Sequence, residues 1–222
     1  MQRRARSQDA KLRRAEDLLE AARTLAAERG GVRHITLAAV TEVVGLHPSA
    51  VRRYFDNKEE LLLELAERGW QEWRDAFTTH LAGAKDLTPT QTATALGVTV
   101  ARLPLFCDLL THVPLSLEGE VTIDRARRFE SNSFTAFDTM IDTMTATGTM
   151  TTEQAEDLLA AAVCLIAHLW QVSHPTPALT RLFDEEPHWG RMALHFEPRI
   201  IHFLQATATG LTMLTGRPAL AP

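Results

Sequence analysis

Along most of this chain apolar residues recur three and four apart and almost nowhere alternate, which predicts helices from end to end. Leu12, Ala15, Leu19, Ala22 and Ala26, widened by Leu18 and Leu25, mark a first helix over about 8–28 that Gly30-Gly31 stops. Leu37, Val40 and Val44 share one face of a short second helix. Thr36 stands where its hydroxyl can cap the first turn. Gly45 suits the left-handed residue that closes a helix, and Leu46 anchors the turn. Pro48 then occupies a first helical position, where its missing N–H costs nothing. At about 100° per residue, Val51, Tyr54 and Phe55 gather on one side, Ser49 and Arg53 point the opposite way, and Ala50 and Arg52 flank them. Asn57 and Glu60 form a capping box for a long helix. It runs through Leu61, Leu65, Trp70, Trp73 and Phe77 to about Leu81, with its exit at Gly83 and Lys85-Asp86.

Thr88-Pro89-Thr90-Gln91 caps a further helix reaching about Arg102, and Pro104 breaks it. A short apolar segment at 105–110 and a loop from Pro114 to Gly119 follow. Thr122 opens a helix through Phe129, Phe134, Phe137, Met140, Ile141 and Met144, closed by Gly148. Thr151 to Gln154 caps the next, over 152–173, whose second half is apolar all round. Such a helix must be buried on both sides, one of them against a partner. The last helix, from Glu197-Pro198 through Ile200, Ile201, Leu204, Ala208 and Leu211, supplies the second member of a two-helix face. Two such faces meeting about a two-fold axis make a four-helix homodimer interface. The stretch 174–196 reads as a loop with one short helix over 178–183. The expectation is an all-α fold of about nine helices: a head at 1–56, with a basic arm at 1–14, and a helical body at 57–222 for effector binding and dimerisation.

Charge sharpens that division. The net charge of −5 argues against a nucleic-acid partner only if it is evenly spread. Residues 1–58 hold 12 Lys/Arg against 7 Asp/Glu, and the remainder hold 11 against 21. The basic charge is therefore in the head, as in a DNA reader carried on an acidic body. Arg3, Arg4, Arg6, Lys11, Arg13 and Arg14 form an arm suited to tracking phosphates. Cys107 and Cys164 lack metal or redox spacing and read as buried small hydrophobes. His188, His195 and His202 recur every seven residues without a ligand cluster, so neither a metal nor a cofactor is expected. A charged start and the lack of an apolar run near 18 residues exclude a membrane partner and point to the cytoplasm. Catalysis has no support beyond Cys164 and His168 at i,i+4.

A short helix held by an apolar stripe, with arginines facing out, has the geometry that enters a DNA major groove. Its arginines can pair with guanine or clamp phosphate, and Lys58 lies at a helix N-terminus where an anion is welcome. The run from Gly45 to Leu62, with Tyr54-Phe55, then Asn57-Lys58-Glu59 and two leucines, resembles the DNA-binding signature of the tetracycline-repressor (TetR) family. The resemblance covers about the first 65 residues closely and the rest in architecture. His47-Pro48 stands where that family often carries Ser-Lys, so no operator is carried over. The resemblance implies a homodimeric regulator of double-stranded DNA, released by a small apolar effector held between body helices. The candidate DNA contacts are Thr36, His47, Pro48, Ser49, Ala50, Arg52, Arg53, Tyr54 and Lys58. Phe106, Phe134, Phe137, Ile141 and His168, chosen by pattern, are the candidate pocket residues.

Overall fold

The structure is a computed structural model and describes residues 2–189 and 195–214, with side chains from residue 9 onward. Among these residues nine α-helices run in order. They are α1 (Gln2–Arg29), α2 (Leu37–Val43), α3 (Lys58–His80), α4 (Pro89–Val100), α5 (Pro104–His112), α6 (Ile123–Thr147), α7 (Thr152–Ser173), α8 (Pro177–Glu185) and α9 (Phe196–Met213). No strand occurs among the described residues; an isolated bridge of Leu87 to Gly148 pins the α3–α4 connection beside the end of α6.

Caps set most of these boundaries. Thr88 and Thr151 each form the reciprocal capping box, and Thr122 and Thr176 accept from the third backbone N–H of α6 and α8. The first helix starts earlier than its apolar pattern, at Gln2, and Leu12 is exposed, so the buried stripe begins near Ala15. The expected arm contacts of Arg3, Arg4 and Arg6 lie outside the described side chains. Pro104 opens α5 as its first residue instead of only breaking its predecessor. The presumed loop after it is helical too, a π turn over Val113–Leu117 and a 3-10 turn over Glu118–Glu120.

The head packs α1 against α2 and the turn at Val32–His34. In the body α3 lies against α4, α5 and α6, while α9 packs on both α4 and α7. Trp73, Phe77, Leu61, Leu62, Leu63 and Leu65 are all fully buried, so α3 is the wall that head and body share.

Two expectations fail on α7, the burial of Cys164 and the placing of His168 in a pocket. By length and composition this 22-residue helix is apolar enough to cross a membrane, with mean hydropathy 1.4 over an 18-residue window. Yet it packs against α5, α6 and α9, as the core helix of a globular body does. Its inner face, Ala155, Leu158, Leu159, Ala162, Ile166 and Leu169, is buried. Ala160, Cys164 and His168, one turn apart, are exposed. Cys164 is thus a surface thiol, whereas Cys107 is buried and its thiol is pushed far up by burial.

Candidate nucleic-acid interface

The interface is built from local chemistry. Thr36 Oγ1 accepts the Ala39 N–H at 3.2 Å and starts α2. At the other end the Leu46 N–H reaches the Thr41 carbonyl at 2.8 Å and the Gly45 N–H that of Glu42 at 3.1 Å. This pair of bonds is the Schellman closure, and it requires the left-handed φ of +66° that Gly45 adopts. The chain leaves the turn at His47, whose ring nitrogen Nδ1 accepts the Ser49 N–H at 3.3 Å and meets the Ser49 hydroxyl at 2.8 Å. The imidazole serves as the cap of the next segment.

That segment, Pro48–Arg53, is a 3-10 helix and not the α-helix expected. The difference changes the exposed face. At three residues per turn, positions three apart eclipse. Val51 is buried, with Pro48 and Tyr54 in its column; Ser49 aligns with Arg52, and Ala50 with Arg53. Both arginines and Ser49 are exposed, so Arg52 is a full member of the outward face and not its flank. Phe55, 6% exposed, closes the segment against the core, its N–H and that of Tyr54 both bonded to the Val51 carbonyl.

Asn57 then caps α3, its Oδ1 accepting the Glu60 N–H at 2.8 Å. The box is shifted by one residue, because the Glu60 carboxylate takes the N–H of Asp56 and not that of Asn57. The side-chain Nδ2 of Asn57 donates to the Glu120 carbonyl at 2.5 Å, joining the start of α3 to the turn before α6. Lys58, half-buried, is the first residue of α3. Farther along, Arg125 of α6, 6% exposed, pairs with Glu67 at 3.0 Å and Glu64 at 3.4 Å of α3. Arg128 joins the same two carboxylates, and Asn132 donates to Glu67. Burial draws Arg125 below its ordinary range, Arg128 adding to that effect and Glu67 opposing it.

The candidate pocket residues divide. Phe106 and Ile141 are buried and Phe137 is half-buried. Trp70 meets the rings of both Phe106 and Phe137 edge-on, with centroids 5.4 and 6.2 Å away. Phe134, on the same helix as Phe137, is 59% exposed and meets the Phe137 ring edge-on at 6.4 Å. His168 faces outward on α7, away from the interior in which a pocket residue was expected. The spacing that put these two in the core does not distinguish a core face from a surface face on a helix apolar on several sides. Residues absent from the pattern reading are Asn57 in its second role and Arg125, which tie α3 to α6 and the turn before it, and Asp108, which ties α5 to the head. The signal for Asp108 was a lone carboxylate inside the apolar run 105–110.

A capped helix, a left-handed turn and an arginine-bearing second helix seated on a helical core define a helix-turn-helix DNA-binding protein. Residues 18–65 match the family described as bacterial regulatory proteins, tetR family, and residues 67–213 match the tetracyclin repressor-like, C-terminal domain. The chain belongs to the TetR family of transcriptional regulators. Among solved structures, a possible TetR family transcriptional regulator from Streptomyces coelicolor A3(2) shares the fold at 17% identity and a TM-score of 0.57, covering 90% of this chain and 98% of that one. A TetR family transcription regulator from Marinobacter aquaeolei VT8 does so at 18% identity and 0.50, covering 93% and 97%. No curated protein matches the sequence.

Proposed function

We propose that this regulator is a homodimeric repressor that holds a pseudo-palindromic operator with its two heads and lets go when a small apolar effector binds the body. In this reading residues 1–56 form the head and 57–222 the body. Ser49, Arg52 and Arg53 face the groove with Ala50; His47, Pro48 and Tyr54 shape the segment, and Thr36 and Lys58 lie toward the phosphates. The observation that carries the pairing is the outward face of α7, where Ala160 and Cys164 are exposed on a helix whose other face is core. A second chain laid on this face and on the exposed side of α9, which carries Phe203, completes a four-helix interface.

The test is in two parts. Light scattering of the wild type and of Ala160→Glu should give a dimer and a monomer respectively; a wild-type monomer at micromolar concentration removes the reading. Selection from a randomised duplex pool should return two half-sites about 34–36 Å apart. An effector works by binding better to one head arrangement than to the other. Around Phe106, Phe137 and Ile141 it would find an apolar, aromatic wall.

A second reading rests on that same wall. Trp70, Trp73 and Phe106 pack ring against ring, 5.4 to 5.9 Å between centroids, each at most 7% exposed. A body filled in this way belongs to a regulator or activator that answers to a protein or to nothing. A thermal-shift screen with apolar compounds separates the two: a compound that stabilises the protein and releases DNA supports the first, and a flat screen the second.

A further inference from the structure

The first helix ends in a Schellman-type bond, the Gly31 N–H donating to the Ala26 carbonyl at 2.9 Å. The next amide, that of Val32, opens the 3-10 turn and has no carbonyl of the head to bond. Val32 is 1% exposed, so water does not serve it. Its donor is taken by Asp108 Oδ2 of α5, at 2.7 Å and 76 residues away. The approach is close enough that a Cβ on Gly31, at φ +129°, would stand 3.0 Å from that same oxygen. The head therefore has a buried donor that only the body satisfies.

The other oxygen of Asp108 faces the opposite way. Oδ1 accepts from Gln171 Nε2 of α7 at 2.8 Å, and the Gln171 amide also reaches the Thr111 hydroxyl at 3.3 Å. Thr111 in turn donates to the Ala167 carbonyl of α7 at 2.6 Å. Asp108 is 8% exposed, and His112 stands 3.9 Å from Oδ1. One buried carboxylate thus spans the α1–α2 turn of the head and helix α7, by charge-assisted bonds of the stronger kind.

We infer that Asp108 is a positioning residue for DNA reading: it refers the head directly to α7, bypassing α3, and so fixes where each head stands relative to the face that meets the second chain. This rests on the homodimer proposed above. An aspartate suits the task because it accepts on both sides. An asparagine has one acceptor oxygen, so in either orientation its amide would confront one of the two donors.

Two variants test this, Asp108→Asn and Gln171→Leu; the second lies outside the head and removes only the α7 side. In hydrogen–deuterium exchange of the full-length protein, Gln171→Leu should speed exchange at Val32 and its neighbours in 30–36 by about tenfold or more, with α9 protection unchanged. Unchanged exchange at 30–36, or acceleration spread evenly over the chain, overturns the inference. The duplex selected by the wild type, and the same duplex with its half-sites moved apart by one base pair, give a second readout. Both variants should lose most of the wild type's preference for the selected spacing while remaining dimeric. An equal loss of affinity for both duplexes counts against positioning. A wild type that selects no paired half-sites overturns the two-headed reading instead, and the exchange measurement still decides whether Asp108 holds the turn.

Discussion

Arg68 grips Glu16 in a fork, Nη1 to Oε2 at 2.6 Å and Nη2 to Oε1 at 2.7 Å, and so clamps α1 of the head to α3. A lysine keeps the charge but cannot make the fork. Arg68→Lys should therefore cost about 1 kcal/mol, a size set by partial exposure and solvent screening. That is a fall of roughly 2–4 °C in melting temperature by calorimetry. The hydrogen bond from Arg68 holds the Glu16 carboxyl below its ordinary 4.5. The clamp's contribution is thus complete above that value and is lost as pH falls through the lower folded one. Wild type and variant should converge in strong acid.

In the 3-10 segment Arg52 and Arg53 stand in adjacent outward columns. Each alanine variant should weaken binding to the selected duplex. A base contact costs about 1–3 kcal/mol and relaxes one position of the site, whereas a phosphate contact weakens all sequences alike. Lys58→Ala should reduce the slope of log affinity against log salt by about one. Fluorescence anisotropy over a salt series on single-base variants of the duplex reads all three.

Gly69 of α3 lies beneath Phe106, and a Cβ there would press into the ring. Gly69→Ala should destabilise by about 1–3 kcal/mol through overpacking. Adding Phe106→Leu should recover part of the loss, giving a coupling that urea denaturation of the single and double variants can measure.

Glu118, in the turn before α6, is pushed up to about 7, first by burial and then by its hydrogen bond and repulsion with Glu130. The folded protein holds this proton more tightly than the unfolded chain, so the group favours folding as pH falls from 7 toward 4.5 and works against it above 7. Glu118→Gln should raise the melting temperature at pH 8 and leave it near the wild-type value at about pH 3.5, below the ordinary 4.5 of the unfolded chain, where the carboxyl is neutral in both states. The solvent reaching this half-buried residue keeps the gain to about 1 kcal/mol.

Local chemistry was the legible part of the chain. The caps at Thr36, Thr88, Thr122 and Thr151 and the left-handed Gly45 lie within a few residues of the bonds they make, so spacing alone locates them. The winding of Pro48–Arg53 was less so. The Ala50 and Tyr54 N–H groups each bond the carbonyl three residues back, at 2.8 Å, and the apolar pattern of so short a segment does not distinguish that register from an α one. Phe134 and His168 illustrate a different gap, since apolar residues on several sides of a helix do not say which side has a neighbour in the same chain. Asp108 marks the farthest reach of all. Its two partners lie 76 and 63 residues away, and no local pattern announces a bond of that span.

The continuity of α3 has a metric consequence. Its 23 residues make a rod of about 35 Å, with the reading segment just before one end and the body packed along the rest. Swinging such a rod by about 5° carries its tip through an arc of about 3 Å, close to the 3.4 Å rise of one base step. In the two-headed reading proposed above, a change in the body too small to repack its core would therefore put a head one rung out of register with its half-site.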